Sequence, residues 1–134
     1  MTERLAPGRS FTFTRTFTEG DVAMFCGVTG DYNPFHLDEE FSKRERFGRR
    51  IVPGLLPGSM MTHIGGLLGV LANDMRLSFE APVYIGDTVT CVVTVDEVSE
   101  SGVIRASARM VNQDDTLVVE ASFRGKPFDV RLAR

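Results

Sequence analysis

The chain has no tryptophan, two cysteines, two histidines, no long apolar run and no excess of positive charge. Each shortage removes a class of protein. Cys26 and Cys91 stand far apart without CxxC or zinc-type spacing, so buried free thiols in a reducing compartment are expected. No stretch approaches the roughly 18 apolar residues that span a bilayer, so no membrane association is expected. The N-terminal MTERLAPGRSF lacks the apolar core of a secretion signal, which points to a cytoplasmic protein. A net charge of -3 supplies no basic field for phosphate backbones, so no nucleic-acid partner is expected. Phosphate-cradling glycine loops, a serine nucleophile elbow and a dinucleotide fingerprint are all missing. There is no repeat, low-complexity tract or linker, and residues 1–134 read as a single domain. Such a chain buries roughly two-thirds of its unfolded surface.

What is present falls into three regions of different periodicity. Residues 9–17 alternate Phe11, Phe13 and Phe17 with polar partners, the pattern of a half-buried strand. Thr18 is a helix N-cap candidate with Glu19 and Asp21 in the first turn, and an apolar stripe of Val22, Phe25 and Cys26 predicts a helix over 19–28 that ends at Gly30. Residues 38–43 read as one or two helical turns. A second helix is predicted from about Gly54, with Leu55, Leu56, Met60, Met61, Ile64, Leu67, Leu68 and Leu71 covering most of its circumference, so it should be buried. The rest is strand-like: 75–81, 83–85, 87–99, 102–112 and 116–126, divided by Pro82, Gly86-Asp87, Ser101-Gly102 and Gln113–Asp115. These elements make an α+β domain, with a strongly curved antiparallel sheet wrapped around the buried helix. A sheet of this kind leaves edge strands that dimerisation can cover.

Chemistry concentrates in Gly30-Asp31-Tyr32-Asn33-Pro34-Phe35-His36. Pro34 lacks an N–H and pushes Asn33 out of the helical region, so the segment is expected to be a bend rather than regular helix or strand. Gly30 and Asn33 are the types best able to take positive φ there. The bend holds an acid, Asp31, close to a potential base, His36, which suits proton transfer through one activated water. Asn33 can orient either side chain, and the same three residues can equally serve as an Asx-turn and a packed polar core. Gly54, at the expected start of the buried helix, offers an N–H that can meet negative charge growing on a carbonyl oxygen. It can also be a plain helix entry with Pro53. Ser59 and Thr62 on that helix either line a pocket or bond back to their own backbone, and His63 reads as structural. The basic run Lys43, Arg44, Arg46, Arg49 and Arg50 is a solvated loop or a contact for ligand phosphates. His36 with Asp38 supplies two metal ligands and no third, so no metal is expected.

The heptapeptide GDYNPFH resembles the signature of the MaoC-like, (R)-specific enoyl-CoA hydratases, with Phe25 before it and Ser42 six positions after His36. FGRRIVPGLLPGSM and LSFEAPVYIGDTV resemble the second and third blocks of that family, in order along nearly the whole chain. The resemblance implies a hot-dog fold, a curved antiparallel sheet around a long central helix, normally homodimeric. It implies addition of water to trans-2-enoyl-CoA to give (R)-3-hydroxyacyl-CoA, and the reverse dehydration. Asp31 and His36 would be the catalytic pair, Asn33 would orient them, the Gly54 amide would receive the thioester oxygen, and Thr62 would stand where members often carry a small hydroxyl residue. The partner is then an acyl-CoA or acyl-carrier thioester, with coenzyme A entering as part of the substrate and no separate cofactor. Many members carry His where this chain has Pro53, which changes the pocket wall. The segment LGVLANDMRLSF is also shorter than usual. Two other readings on the same fold are a non-catalytic acyl-CoA-binding protein and an acyl-CoA thioesterase.

Overall fold

A computed structural model describes residues 5–128. The elements run β1 (Ser10–Thr16), α1 (Glu19–Thr29), α2 (Pro34–Leu37), α3 (Glu39–Lys43), α4 (Leu55–Gly58), α5 (Met60–Leu68), β2 (Val70–Phe79), β3 (Thr88–Val98), β4 (Ile104–Val111) and β5 (Leu117–Pro127). The strands form one antiparallel sheet in the order β1-β3-β4-β5-β2.

Alternation decides which face of the sheet is inside. Val89, Cys91, Val93 and Val95 of β3, Ile104, Ala106, Ala108 and Met110 of β4, and Val119, Ala121 and Phe123 of β5 are buried. Their neighbours along the strands are mostly polar, and hydroxyl pairs lock the β1–β3 register at Ser10–Thr94, Thr14–Thr90 and Thr16–Thr88, all within 3.1 Å. The helix α5 packs against β1, β3 and β2, and so against both edge strands. Five strands spaced about 4.8 Å apart put those edges about 19 Å from each other if flat, wider than a helix of about 10 Å. The sheet therefore wraps round α5, as the sequence pattern implies.

The N-terminal helix follows its signals closely. Thr18 and Asp21 form a reciprocal capping box, with Asp21 N–H donating to Thr18 Oγ1 at 3.2 Å and Thr18 N–H donating to Asp21 Oδ2 at 2.9 Å. Gly30 closes α1 in the left-handed region at φ 75°.

Three expectations are corrected. The predicted central helix is broken into α4 and α5 at Ser59, and it ends at Gly69 (φ 68°) rather than reaching Leu71, which lies in β2 and is exposed. Ser59 Oγ donates to the Leu56 carbonyl and Thr62 Oγ1 to the Ser59 carbonyl, each at 2.6 Å, and these local bonds tighten the turn. Burial is also one-sided: Met60, Met61, Ile64 and Leu68 face the core, whereas Leu55 and Leu67 are exposed. Second, residues 83–85 are no strand. Tyr84 makes a single bridge to Ile51, because the Gly86-Asp87 turn, with Tyr84 N–H on Asp87 Oδ2, bends the chain at once. Third, the bend of the heptapeptide is confined to Gly30–Asn33. Pro34 opens α2, where a missing N–H costs nothing, and only Gly30 takes positive φ.

Candidate active site

Four segments build the site. The Gly30 turn hands Asp31 to solvent at the end of α1, where Thr29 Oγ1 accepts the Asp31 N–H at 3.1 Å. One carboxylate oxygen of Asp31 accepts the Asn33 N–H at 3.2 Å, which makes the Asx-turn. Asn33 in turn caps α2, its side chain accepting the Phe35 N–H at 3.0 Å. One helical turn later, α2 delivers His36 into the protein, where its side chain is only 10% exposed while that of Asp31 is 48% exposed.

The His36 ring is fixed by backbone. Nδ1 lies 2.8 Å from the Ile51 carbonyl, an acceptor, so the neutral imidazole carries its proton on Nδ1. The free lone pair is then on Nε2, which faces the other Asp31 oxygen, Oδ2, at 3.5 Å. With Asp31 ionised and His36 neutral, both facing atoms are acceptors. They can share one donor between them, and a water supplies two hydrogens for that purpose. The Asx-turn and the pairing with His36 thus use different oxygens of one carboxylate, and neither excludes the other.

Asp31, His36, Pro53 and Gly54 line one cleft of about 550 Å³, walled by apolar residues including Phe25, Ile51, Phe79 and Val119. Among the described residues the Gly54 N–H has no hydrogen-bond partner. A Cβ on Gly54 would stand 2.8 Å from Cδ1 of Phe79, so the two pack closer than any other residue would permit. Asn33 lies outside the lining, at the cap of α2. Ser59 and Thr62 also lie outside it. They border a separate recess with Phe13, Arg15 and His63. Asp38 caps α3 by accepting the Phe41 N–H at 3.0 Å, which commits it to that helix rather than to His36. Among the described residues no group of three or more His, Cys, Asp or Glu converges on a point.

Below the pair, Cys26 is buried, and burial raises its thiol pKa; Asp31 raises it further and Arg50 opposes them. The basic run is not one solvated loop. Arg49 lies over the Tyr84 ring at 3.9 Å, Arg46 over Phe47 at 5.0 Å, and Arg50 turns inward to the His36 carbonyl. Sequence reasoning missed this last contact and the Ile51 carbonyl. A backbone acceptor has no side-chain signature, and a basic run gives no sign of which member turns in. Ser42 is fully buried, with its hydroxyl 3.4 Å from the carbonyls of Pro34 and Phe35, which explains a small residue there.

The MaoC like domain model matches residues 3–116. The chain belongs to the MaoC-like family. An (R)-specific enoyl-CoA hydratase of Rhodospirillum rubrum is 35% identical over 97 residues, covering 69% of this chain and 67% of the relative. An (R)-specific enoyl-CoA hydratase of Aeromonas caviae is 32% identical over 122 residues, covering 87% and 91%. The solved structure of an (R)-hydratase from A. caviae superimposes with a TM-score of 0.87 at 31% identity, over 91% of this chain and 96% of that one. The R-hydratase PhaJ1 from Pseudomonas aeruginosa, in unliganded form, gives 0.88 at 27% identity, over 98% and 90%. The sheet wrapped on α5 is accordingly a MaoC-like hot-dog fold. Within the described residues of this MaoC-like chain, no helix is long and apolar enough to cross a membrane.

Proposed function

We propose that this chain is an (R)-specific enoyl-CoA hydratase, adding water to trans-2-enoyl-CoA to give (R)-3-hydroxyacyl-CoA and catalysing the reverse dehydration. The observation that carries the reading is the facing of Asp31 Oδ2 and His36 Nε2 at 3.5 Å within a cleft walled mainly by apolar side chains. A water donating to both acceptors keeps a lone pair for C3 of the enoyl thioester. As the C3–O bond forms, the Asp31–His36 pair takes one proton from the water. Electrons move through the C2=C3 bond onto the thioester oxygen, and the Gly54 N–H stabilises that enolate. The pair then returns a proton to C2, so atoms and charge balance and no separate cofactor is consumed. Asn33 holds both through the turn and the α2 cap.

Coenzyme A enters as part of the substrate, and names among the relatives also include 3-hydroxyacyl-[acyl-carrier-protein] dehydratases, so a carrier-protein thioester is the second handle to test. We further propose a cytoplasmic homodimer: β2 is an edge strand with Leu71 and Met75 exposed, and a second copy would cover it.

The test is to mix the protein with short trans-2-enoyl-CoA and follow loss of the conjugated enoyl absorbance. Turnover is expected, falling by about 10²- to 10⁴-fold in Asp31→Asn and His36→Ala. No turnover at any chain length, or an unchanged rate in Asp31→Asn, would contradict it. Tight acyl-CoA binding without turnover, insensitive to His36→Ala, would instead indicate a binding protein, the alternative that Pro53 in the wall keeps open. Release of free CoA thiol would indicate a thioesterase.

A further inference from the structure

We infer that Arg50 is a positioning residue, which with Glu19 sets the spacing between Asp31 and His36. This rests on the reading of those two residues as the reacting pair. Arg50 Nε donates to the His36 carbonyl at 2.7 Å, and Nη1 pairs with the Glu19 carboxylate. The Arg50 side chain is only 12% exposed, so this is a built contact and not a passing surface pair.

The placement of the two partners gives the contact its meaning. Glu19 is the first residue of α1, and the other end of α1 delivers Gly30 and Asp31. His36 rides on α2, which is bound to the neighbouring backbone by Ile51 N–H donating to the Phe35 carbonyl at 3.0 Å and by the His36 Nδ1 contact with Ile51. Those two bonds orient α2 against residue 51 but do not reach α1. Arg50 does both: one edge of its fork holds the carbonyl of His36 itself, and another holds the helix that carries Asp31. The buried Cys26 thiol of α1 feels both charges, Asp31 raising its pKa and Arg50 lowering it.

Only arginine presents donors in two directions from one rigid plane; lysine has one point charge on a flexible stem. Glu19 is mostly exposed, so the ion pair adds little stability. A displacement of about 1 Å at a reacting group can cost roughly 10²-fold in rate. Loss of Arg50 should accordingly register in chemistry before it registers in folding.

The experiment compares the full chain with Arg50→Gln, Arg50→Lys and Glu19→Gln, reading kcat, KM, melting temperature and the ¹⁵N-labelled histidine rings. The chain has two histidines, so His63, remote in the recess, is an internal reference for His36. Arg50→Gln is expected to lower kcat by about tenfold or more with KM within about threefold. Arg50→Lys should restore part of the rate, and Glu19→Gln should show a smaller loss of the same kind. In an Asp31→Asn background, Arg50→Gln should add little, because there is no longer a spacing to keep. The His36 ring resonances should move in Arg50→Gln while those of His63 stay. Unmoved His36 resonances in both Arg50→Gln and Glu19→Gln would overturn the inference, as would both histidines shifting together with a fall in melting temperature. Should Arg50→Gln fail to fold, Glu19→Gln decides by the same ring readout. Absence of turnover in the unaltered chain would refute the hydratase reading alone, since the ring resonances judge the spacing independently.

Discussion

Two depressions beside the broken central helix contain nearly the same chemical ingredients. The cleft has His36, the Thr29 hydroxyl and aromatic walls, with Arg50 on the His36 carbonyl outside the lining; the recess has His63, Arg15, the hydroxyls of Ser59 and Thr62, and Phe13 and Phe17. What differs is where each polar group spends its hydrogen bonds. In the recess Ser59 and Thr62 donate to their own helix, Arg15 is held by Asp21, and the exposed His63 ring stacks on Phe13 at 3.8 Å. In the cleft the backbone of Ile51 uses up one nitrogen of His36 and that of Asn33 one oxygen of Asp31, which leaves one lone-pair atom of each facing the other. In the hydratase reading proposed above, the pair is free to act on water because half of each group's bonding is satisfied and the other half is not.

Breaking that difference should have its largest effect at the pair. Asp31→Asn and His36→Ala should lower enoyl-CoA turnover by about 10²-fold or more, whereas His63→Ala and Thr62→Ala should stay within about threefold. Steady-state rates on the four proteins check this, and equal losses in both depressions would remove the distinction. Gly54→Ala comes next. The new Cβ meets the Phe79 ring at 2.8 Å, so the ring must move into the cleft mouth. A loss of about tenfold in kcat/KM is expected, less than for deletion of an oxyanion donor because alanine keeps the N–H. Adding Phe79→Ala should recover part of it, and no recovery would show that the glycine serves something other than close approach.

Much of this frame is legible in the residues, and the limits have physical causes. The cap of Thr18, the stop at Gly30 and the alternation in β3, β4 and β5 are local signals, and the chain follows them. The break at Ser59 is also local, but it comes from hydroxyls bonding to backbone, which a count of apolar positions does not register. Leu71 continues the helical spacing and yet leaves it, because Gly69 turns the chain into β2 first. In the site, Asp31, His36, Pro53 and Gly54 meet as their order implies, while Thr62 and Ser59 do not join them. Arg50 is illegible because its partners His36 and Glu19 lie 14 and 31 positions away.

Smaller effects sharpen the contrast between held and free groups. The Thr18 backbone N–H is the main cause that holds the Asp21 carboxyl below its usual 3.8, helped by the Thr18 hydroxyl and Arg15 against the opposing effect of burial. A folded-state pKa below the unfolded value stabilises the fold above about pH 4 and loses that contribution as pH falls through the folded value. The stability gap between the unaltered chain and Asp21→Asn should therefore be full at pH 6 and close as acid is added; a gap that widens in acid would reverse the sign. Burial pushes the Cys91 thiol up to about 11 and raises Cys26 as well. Neither should react with a thiol reagent at pH 7 until the chain unfolds, and rapid labelling of the native protein would contradict their burial.

The central claim is that Asp31 and His36 together place one water on an enoyl thioester. Its most direct test is incubation with trans-2-butenoyl-CoA in ¹⁸O-water, followed by chiral analysis of the product. The (R)-3-hydroxy thioester carrying one ¹⁸O at C3, formed by the unaltered chain and lost in Asp31→Asn, is the expected result. An unlabelled or racemic product, or the same product and rate from Asp31→Asn, would contradict it.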